Sequence, residues 1–297
     1  MRFAIVILLV LGLGGWMLHL TTPDGPPGKL GSTVKVAAIQ CPSRLGDVQY
    51  NRAHLTRLIE RANENGAQIV VLPETAITGY LSQDLKRNWH VSGRPIDDAF
   101  TGVDPKPFAE TVPGESTRHF CALADRLNLY LTIPLLEVEE GRYHNTVCLA
   151  APDGKLVAHY RKLTPWPHPE QSWATPGDRG VQTYDTEYGR VGLAICFDIH
   201  TILDSYKEHD LWALLYPIAW VDESHPTLWF RQLLPHRVKQ YGHHLIGANW
   251  SVEQEQDWAG YGYSTIIDAY GNILAQAETR VGDEIIYAEL DYTLGSE

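Results

Sequence analysis

The chain of 297 residues holds only four cysteines, at positions 41, 121, 148 and 196. That is too few for a disulfide scaffold, even in an exported protein. If Cys196 stays a thiol, at most one bridge can form among the other three, and none is expected. Basic residues are also scarce, with 24 Lys and Arg against 36 Asp and Glu and a formal net charge of -12. No Lys/Arg-rich stripe is available to release counterions from a phosphate backbone, so nucleic acid is excluded as a partner. Thirteen histidines are present, but none stands in an H-E-x-x-H or clustered Cys/His spacing, so no metal site is expected. Internal repeats and low-complexity tracts are missing, which sets aside repeat and disordered architectures. What is there is a 44% hydrophobic chain, long enough to bury one sizeable core. Nine Trp and fifteen Tyr suit a small pocket with a few polar groups.

The first twenty residues, "MRFAIVILLVLGLGGWMLHL", carry a cation at Arg2 and then an apolar run from Phe3 to Leu18 without formal charge. Its length lies between a signal-peptide core and a spanning helix of ~20 residues. No small-x-small cleavage site precedes "TTPDGPPGKLGST" (21–33), which reads as a Pro/Gly-rich linker. Residues 1–20 are therefore expected to be an uncleaved signal anchor, or else a signal peptide, with the main domain (34–297) exported and tethered to the membrane, or secreted if the segment is cleaved.

Along that domain, "VKVAAIQ" reads as a strand. Leu55, Leu58, Ile59 and Ala62 then fit a helix from Val48 to Asn65 closed by Gly66. "AQIVVLPE" is an apolar strand that Pro73 cannot extend, leaving Glu74 just past its end. A helix over 116–127, the strand "LYLTIPLLEV", and a hairpin turning at Pro152-Asp153-Gly154 follow. Further strands are "VGLAI", "LWALLYPIAW", "HLIGANW", "GYSTIIDAYGNILAQAE" and "EIIYAELD", with a helix over 226–241 expected to kink at Pro235. Strands alternate with helices in some places and with hairpins in others. That mixture predicts an α/β protein whose mixed sheets are covered by helices.

In open α/β sheets, ligands bind beyond the carboxyl ends of the strands. The residues there are Glu74, Glu137, Cys196 with Asp198, Pro217 to Trp220, and Asn249 with Trp250. A cysteine in that position is a candidate nucleophile only if something makes its thiolate, because a free thiol has a pKa of about 8.5. His200 lies four residues on and Glu74 follows another strand, so a Cys/His and a Cys/Glu pairing are both open.

Three stretches, "VLPETAITGY", "HYRKLTPWPHPE" and "VGLAICFDI", taken together resemble the glutamate, lysine and cysteine motifs of the nitrilase, or carbon-nitrogen hydrolase, superfamily. They stand in that family's order and at comparable separations, and the resemblance runs from Val34 to Tyr292. It implies a four-layer α-β-β-α sandwich of two mixed β-sheets flanked by helices. It also implies Glu74 as general base, Lys162 at the developing oxyanion and Cys196 as nucleophile, with Glu137 orienting Lys162 and the leaving group. Phe197, Trp166, Trp220 and Asn249 are implied for the pocket and Glu170 for its mouth. Tyr80 closes the "TGY" turn. The implied reaction cleaves a non-peptide carbon-nitrogen bond of a small amide through a thioester, with no cofactor, in a homodimer.

"CFDI" followed by "YPIAW" is similar in particular to the exported vanin and biotinidase amidases, and C-x-D departs from true nitrilases, which favours a linear amide over a nitrile. Other readings are a catalytically silent, membrane-tethered binding module, an N-acyltransferase or nitrilase on the same triad, and a Cys/His thiol protease that would need His200 but not Lys162.

Overall fold

A computed structural model describes residues 32–81, 104–167, 170, 173–220, 226–255 and 260–292. The apolar segment expected to anchor the chain lies outside them. So does the 21–33 linker, except Ser32 and Thr33, which already belong to the first strand and pair with Tyr292 and Asp291.

Twelve strands are present among the described residues. In chain order they are β1 (Ser32–Gln40), β2 (Ile69–Val71), β3 (Tyr130–Glu139), β4 (Arg142–Ala150), β5 (Leu156–Arg161), β6 (Thr183–Thr186), β7 (Gly189–Leu193), β8 (Ala213–Ile218), β9 (His244–Asn249), β10 (Thr265–Ile267), β11 (Ile273–Gln276) and β12 (Glu284–Tyr292). They form two six-stranded sheets, ordered β12-β1-β2-β3-β4-β5 and β11-β10-β9-β8-β7-β6. Both sheets are mixed. The pairs β1·β2, β2·β3, β7·β8 and β8·β9 are parallel and the others antiparallel. Of the parallel strands, β2 and β8 are buried throughout and read as continuous apolar runs, as strands covered on both faces must. β6, short and polar at a sheet edge, gave no such signal.

Helix α1 (Val48–Glu64) starts where the Asp47 carboxylate accepts from Tyr50 N at 3.1 Å, satisfying one orphan N–H. It buries Leu55, Leu58, Ile59 and Ala62, one face at 3.6-residue spacing. Helix α2 (Glu115–Leu127) buries Phe120, Leu123 and Ala124 and ends at Asn128 in the left-handed region, φ 52. These two helices cover the outer face of the first sheet over Val70, Leu72, Leu131, Ile133 and Cys148. The opposite face of that sheet, with Val36, Val71, Val147 and Tyr160, packs on Leu193, Leu214, Tyr216 and Ile246 of the second. Adjacent residues of β3, β4 and β5 therefore face different cores, which decides what each of their polar residues can reach.

The expected kink at Pro235 takes another form. A helical turn (Pro226–Leu228) widens into a π-helical turn (Trp229–Leu233) before α3 (Leu234–Tyr241). Pro235 has no N–H to donate, and the wider turn absorbs that gap ahead of it. Phe230, Leu234 and Val238 join the core of the second sheet. Among the described residues no helix is long and apolar enough to cross a membrane, and all four cysteines are free thiols.

Candidate active site

The carboxyl ends of β2 and β8 meet where Glu74 N donates to Ile218 O at 3.2 Å. Glu74 is 3% exposed. Its Oε1 accepts from Lys162 Nζ and from Asn145 Nδ2, each at 2.7 Å, while its Oε2 is buried without a hydrogen bond. Burial raises the Glu74 carboxyl to about 7; Lys162 pulls it down and Glu170 pushes it up. At neutral pH this carboxylate is poised to gain or lose a proton.

Lys162 leaves β5 just past Arg161 and is almost fully buried. Its ammonium makes ion pairs of 2.7 Å with Glu74 Oε1 and with Glu170 Oε2. Burial pulls its pKa down, but Glu170 and Glu74 outweigh that and hold it charged. Glu170 also accepts from Asn145 Nδ2 and, at 2.5 Å, from Trp166 N, and the Tyr80 hydroxyl bonds it as well. Asn145 thus bridges the two carboxylates, and the cluster closes on itself around Lys162.

Cys196 stands three residues beyond β7, at the start of a 3-10 turn (Cys196–His200). Its φ of 41 is in the left-handed region, a strained conformation that persists only when neighbours hold it. The Tyr216 hydroxyl holds it by donating to Cys196 O at 2.7 Å. Burial pushes the Cys196 thiol up and Glu74 adds to that, while Lys162 and the Ala219 N–H pull against them. The resting group is a thiol that needs a base at the moment of attack. Glu74 is the carboxylate whose charge acts on that thiol; His200 is exposed, and its ring packs on Phe197, Trp220 and Trp229.

Glu137 is not in this cluster. It lies on the helix-facing side of β3, where its carboxylate takes hydrogen bonds from Arg161 Nε and Nη2, from Thr146 Oγ1 at 2.6 Å and from His159 Nε2 at 2.8 Å. Burial would raise its carboxyl, but those donors hold it well below the usual carboxylate range. Arg161 and Lys162 are neighbours and so point to opposite faces. Glu137 pairs with the first, and the carboxylates paired with the second are Glu74 and Glu170. Asn249 also departs from expectation. Its amide is spent on Gly260 O at 2.8 Å, Gly262 O at 2.6 Å and Trp220 N at 3.0 Å, so it braces the loops of the crevice.

The family model for carbon-nitrogen hydrolases matches residues 35–296. The chain belongs to the carbon-nitrogen hydrolase family. It is 30% identical over 256 residues to omega-amidase NIT2 of Bos taurus, spanning 80% of this chain and 83% of that relative. With omega-amidase NIT3 of Saccharomyces cerevisiae it shares 27% over 279 residues, 88% of each. Of solved structures, Saccharomyces cerevisiae Nit3, a member of branch 10 of the nitrilase superfamily, superposes with a TM-score of 0.69 at 27% identity, covering 89% of this chain and 92% of that one. An amidase from Nesterenkonia sp. shares the fold with a TM-score of 0.70 at 22% identity, over 88% and 91%. This carbon-nitrogen hydrolase is an amidase-type enzyme.

In this hydrolase the wall beyond Cys196 is aromatic. Trp220, directly after Ala219, stacks on Trp229 with ring centroids 4.7 Å apart, and Phe197 and His200 adjoin them. Trp166 reaches the cluster through its backbone N–H, and Tyr80, which looked like part of a turn, touches Glu170. Asn145 was missed. A signal for it exists: in "HNTV" one amide faces the inter-sheet core between apolar neighbours on that face, and a buried amide needs polar partners.

Proposed function

We propose that the protein hydrolyses a small linear amide through a thioester on Cys196. Glu74 Oε2, the carboxylate oxygen without a partner, takes the Sγ proton. The thiolate attacks the carbonyl carbon, forming the C–S bond and moving the carbonyl electron pair onto oxygen. The Lys162 ammonium and the Phe197 backbone N–H receive that charge. When the tetrahedral intermediate collapses the C–N bond breaks, and the nitrogen departs with the proton from Glu74. Water then gives a proton to Glu74 and adds to the thioester; the C–S bond breaks, the acid leaves and Glu74 returns the proton to sulfur.

The observation that carries this reading is the closed Glu74, Lys162, Glu170 and Asn145 cluster. It leaves Glu74 Oε2 buried without a hydrogen bond, the oxygen that the proton transfer needs, beside an ammonium held against two carboxylates. Glu170 acts in it as the group that aims Lys162. The omega-amidase relatives favour a terminal amide as substrate over the vitamin amides of the vanin and biotinidase branch, and ammonia as the leaving group.

The test is ammonia release by the full-length chain from a panel of terminal amides, N-alkyl amides and a nitrile, beside Cys196→Ala. Turnover of terminal amides that vanishes in the variant is expected. Turnover of the nitrile alone, or turnover that survives Cys196→Ala, overturns the reading. The membrane anchor at 1–20 and a homodimer belong to the same proposal and are checked by membrane fractionation and by sedimentation.

A further inference from the structure

The carboxylate of Asp198 is fully buried two residues after Cys196. Its Oδ2 accepts from the Tyr160 hydroxyl at 2.7 Å and from Ile195 N at 3.2 Å, and its Oδ1 from Thr164 N at 2.9 Å. Tyr160 lies two residues before Lys162 and Thr164 two residues after it, while Ile195 immediately precedes Cys196. One side chain therefore grips the chain on both sides of Lys162 and caps the turn that presents the nucleophile. A second tie runs beside it, Thr164 Oγ1 to Thr201 Oγ1 at 2.8 Å. From this geometry we infer that Asp198 is a positioning residue that sets the placement of Lys162 against Cys196. The inference rests on the proposed roles of those two residues.

Lys162 and Cys196 come from different sheets, and β5 ends at Arg161, so no strand ladder fixes one against the other. A slide of the 160–164 segment along the 195–198 turn breaks at least one of the three Asp198 bonds. The charges facing the carboxylate support its ionised state. Burial raises Asp198 to about 6, opposed by Lys162, the Tyr160 hydroxyl and the Thr164 and Ile195 N–H groups. Three donors converge on it, and a carboxylate can accept them all. An amide cannot: in Asp198→Asn the Nδ2 group turns a donor toward Thr164 N or Ile195 N. Glu74, three residues past β2, makes no bond to Asp198, so removal of the thiol proton should survive its loss.

The experiment compares full-length wild type, Asp198→Asn and Tyr160→Phe. Each is treated with 2-chloroacetamide, whose amide oxygen must be seated by Lys162, and with methyl methanethiosulfonate, which needs only the Cys196 thiolate. The ratio of the two labelling rates should fall roughly ten-fold in Asp198→Asn and by less in Tyr160→Phe, where the carboxylate keeps two of its donors. In the amide assay kcat should fall roughly ten- to hundred-fold in Asp198→Asn while KM stays within about three-fold. An unchanged labelling ratio, or a parallel slowing of both reagents, would overturn the inference. So would a kcat per folded molecule equal to wild type. The labelling ratio needs no turnover, so it decides on Asp198 even if the proposed amide chemistry fails, and Tyr160→Phe gives the answer if Asp198→Asn does not fold.

Discussion

Replacing Glu170 by Gln should slow the enzyme and also move its acid limit to lower pH. Glu170 and Glu74 each hold the Lys162 ammonium at 2.7 Å, so their nearest oxygens lie within about 5 Å of each other and repel by about 3 kcal/mol at an effective dielectric of about 20. That repulsion is one of the causes that raise Glu74 to about 7. Its removal favours the carboxylate, so the Glu74 midpoint should drop by about one to two pH units, less than the full Coulomb figure because Gln still presents a dipole there. Activity requires Glu74 ionised, and it is lost as pH falls through that midpoint; the acid limb should therefore move from near 7 to between about 5 and 6. Meanwhile Lys162 loses an anionic anchor, and kcat should fall roughly ten- to hundred-fold. The assay is ammonia release from a terminal amide across the pH range, with kcat/KM fitted for the free enzyme. An acid limb that stays in place or moves upward would refute the coupling, even if kcat falls as expected.

Lys162→Met should cost roughly a hundred- to thousand-fold in acylation by removing an oxyanion donor, while methyl methanethiosulfonate still labels Cys196; equal loss of both would show that the lysine serves the thiol instead. Glu137→Gln should lower stability by about 3 kcal/mol at pH 7 by leaving Arg161 short of a buried partner, with kcat per folded molecule unchanged. Because Glu137 is held below the usual carboxylate range, its contribution is fully present above the ordinary glutamate pKa and fades as pH falls beneath it, so the gap between wild type and variant in denaturant melts should close in acid. Asn249→Ala should strip Gly260 O, Gly262 O and Trp220 N of their partner and destabilise by about 2 kcal/mol or more, with KM rising more than kcat falls; a variant of unchanged stability would show the brace is dispensable.

The sequence made Cys196 legible because an apolar run stops at Ile195 and a reactive side chain follows at once. Glu74 is legible the same way, since Pro73 ends β2. Their partnership with Lys162 is different. It depends on strands from two sheets meeting end to end, and only the order of three motifs pointed to it. Which carboxylate reaches Lys162 turns on the face of β3 and β5 that each side chain takes. Arg161 and Lys162 are adjacent in sequence but serve different cores, and one residue of register separates a buried structural ion pair from the reactive cluster. The role that the resemblance implies for Glu137 carries no information on which face of β3 the side chain takes. Asn249 sits at a strand end, where pocket residues gather, yet its amide is consumed by backbone groups of Gly260, Gly262 and Trp220, 11 to 29 residues away, which no local pattern reveals. The π-helical turn ahead of Pro235 was foreseen only as a disturbance; the residues do not say whether a helix kinks or widens.

Intact-mass spectrometry of the full-length chain, quenched after brief incubation with a terminal amide, tests the central claim most directly. A mass increment equal to the acyl group, mapped to Cys196 and absent from Cys196→Ala, is the expected result. Steady turnover of the amide with no such increment at any quench time, while Cys196→Ala turns over equally well, would contradict the thioester account.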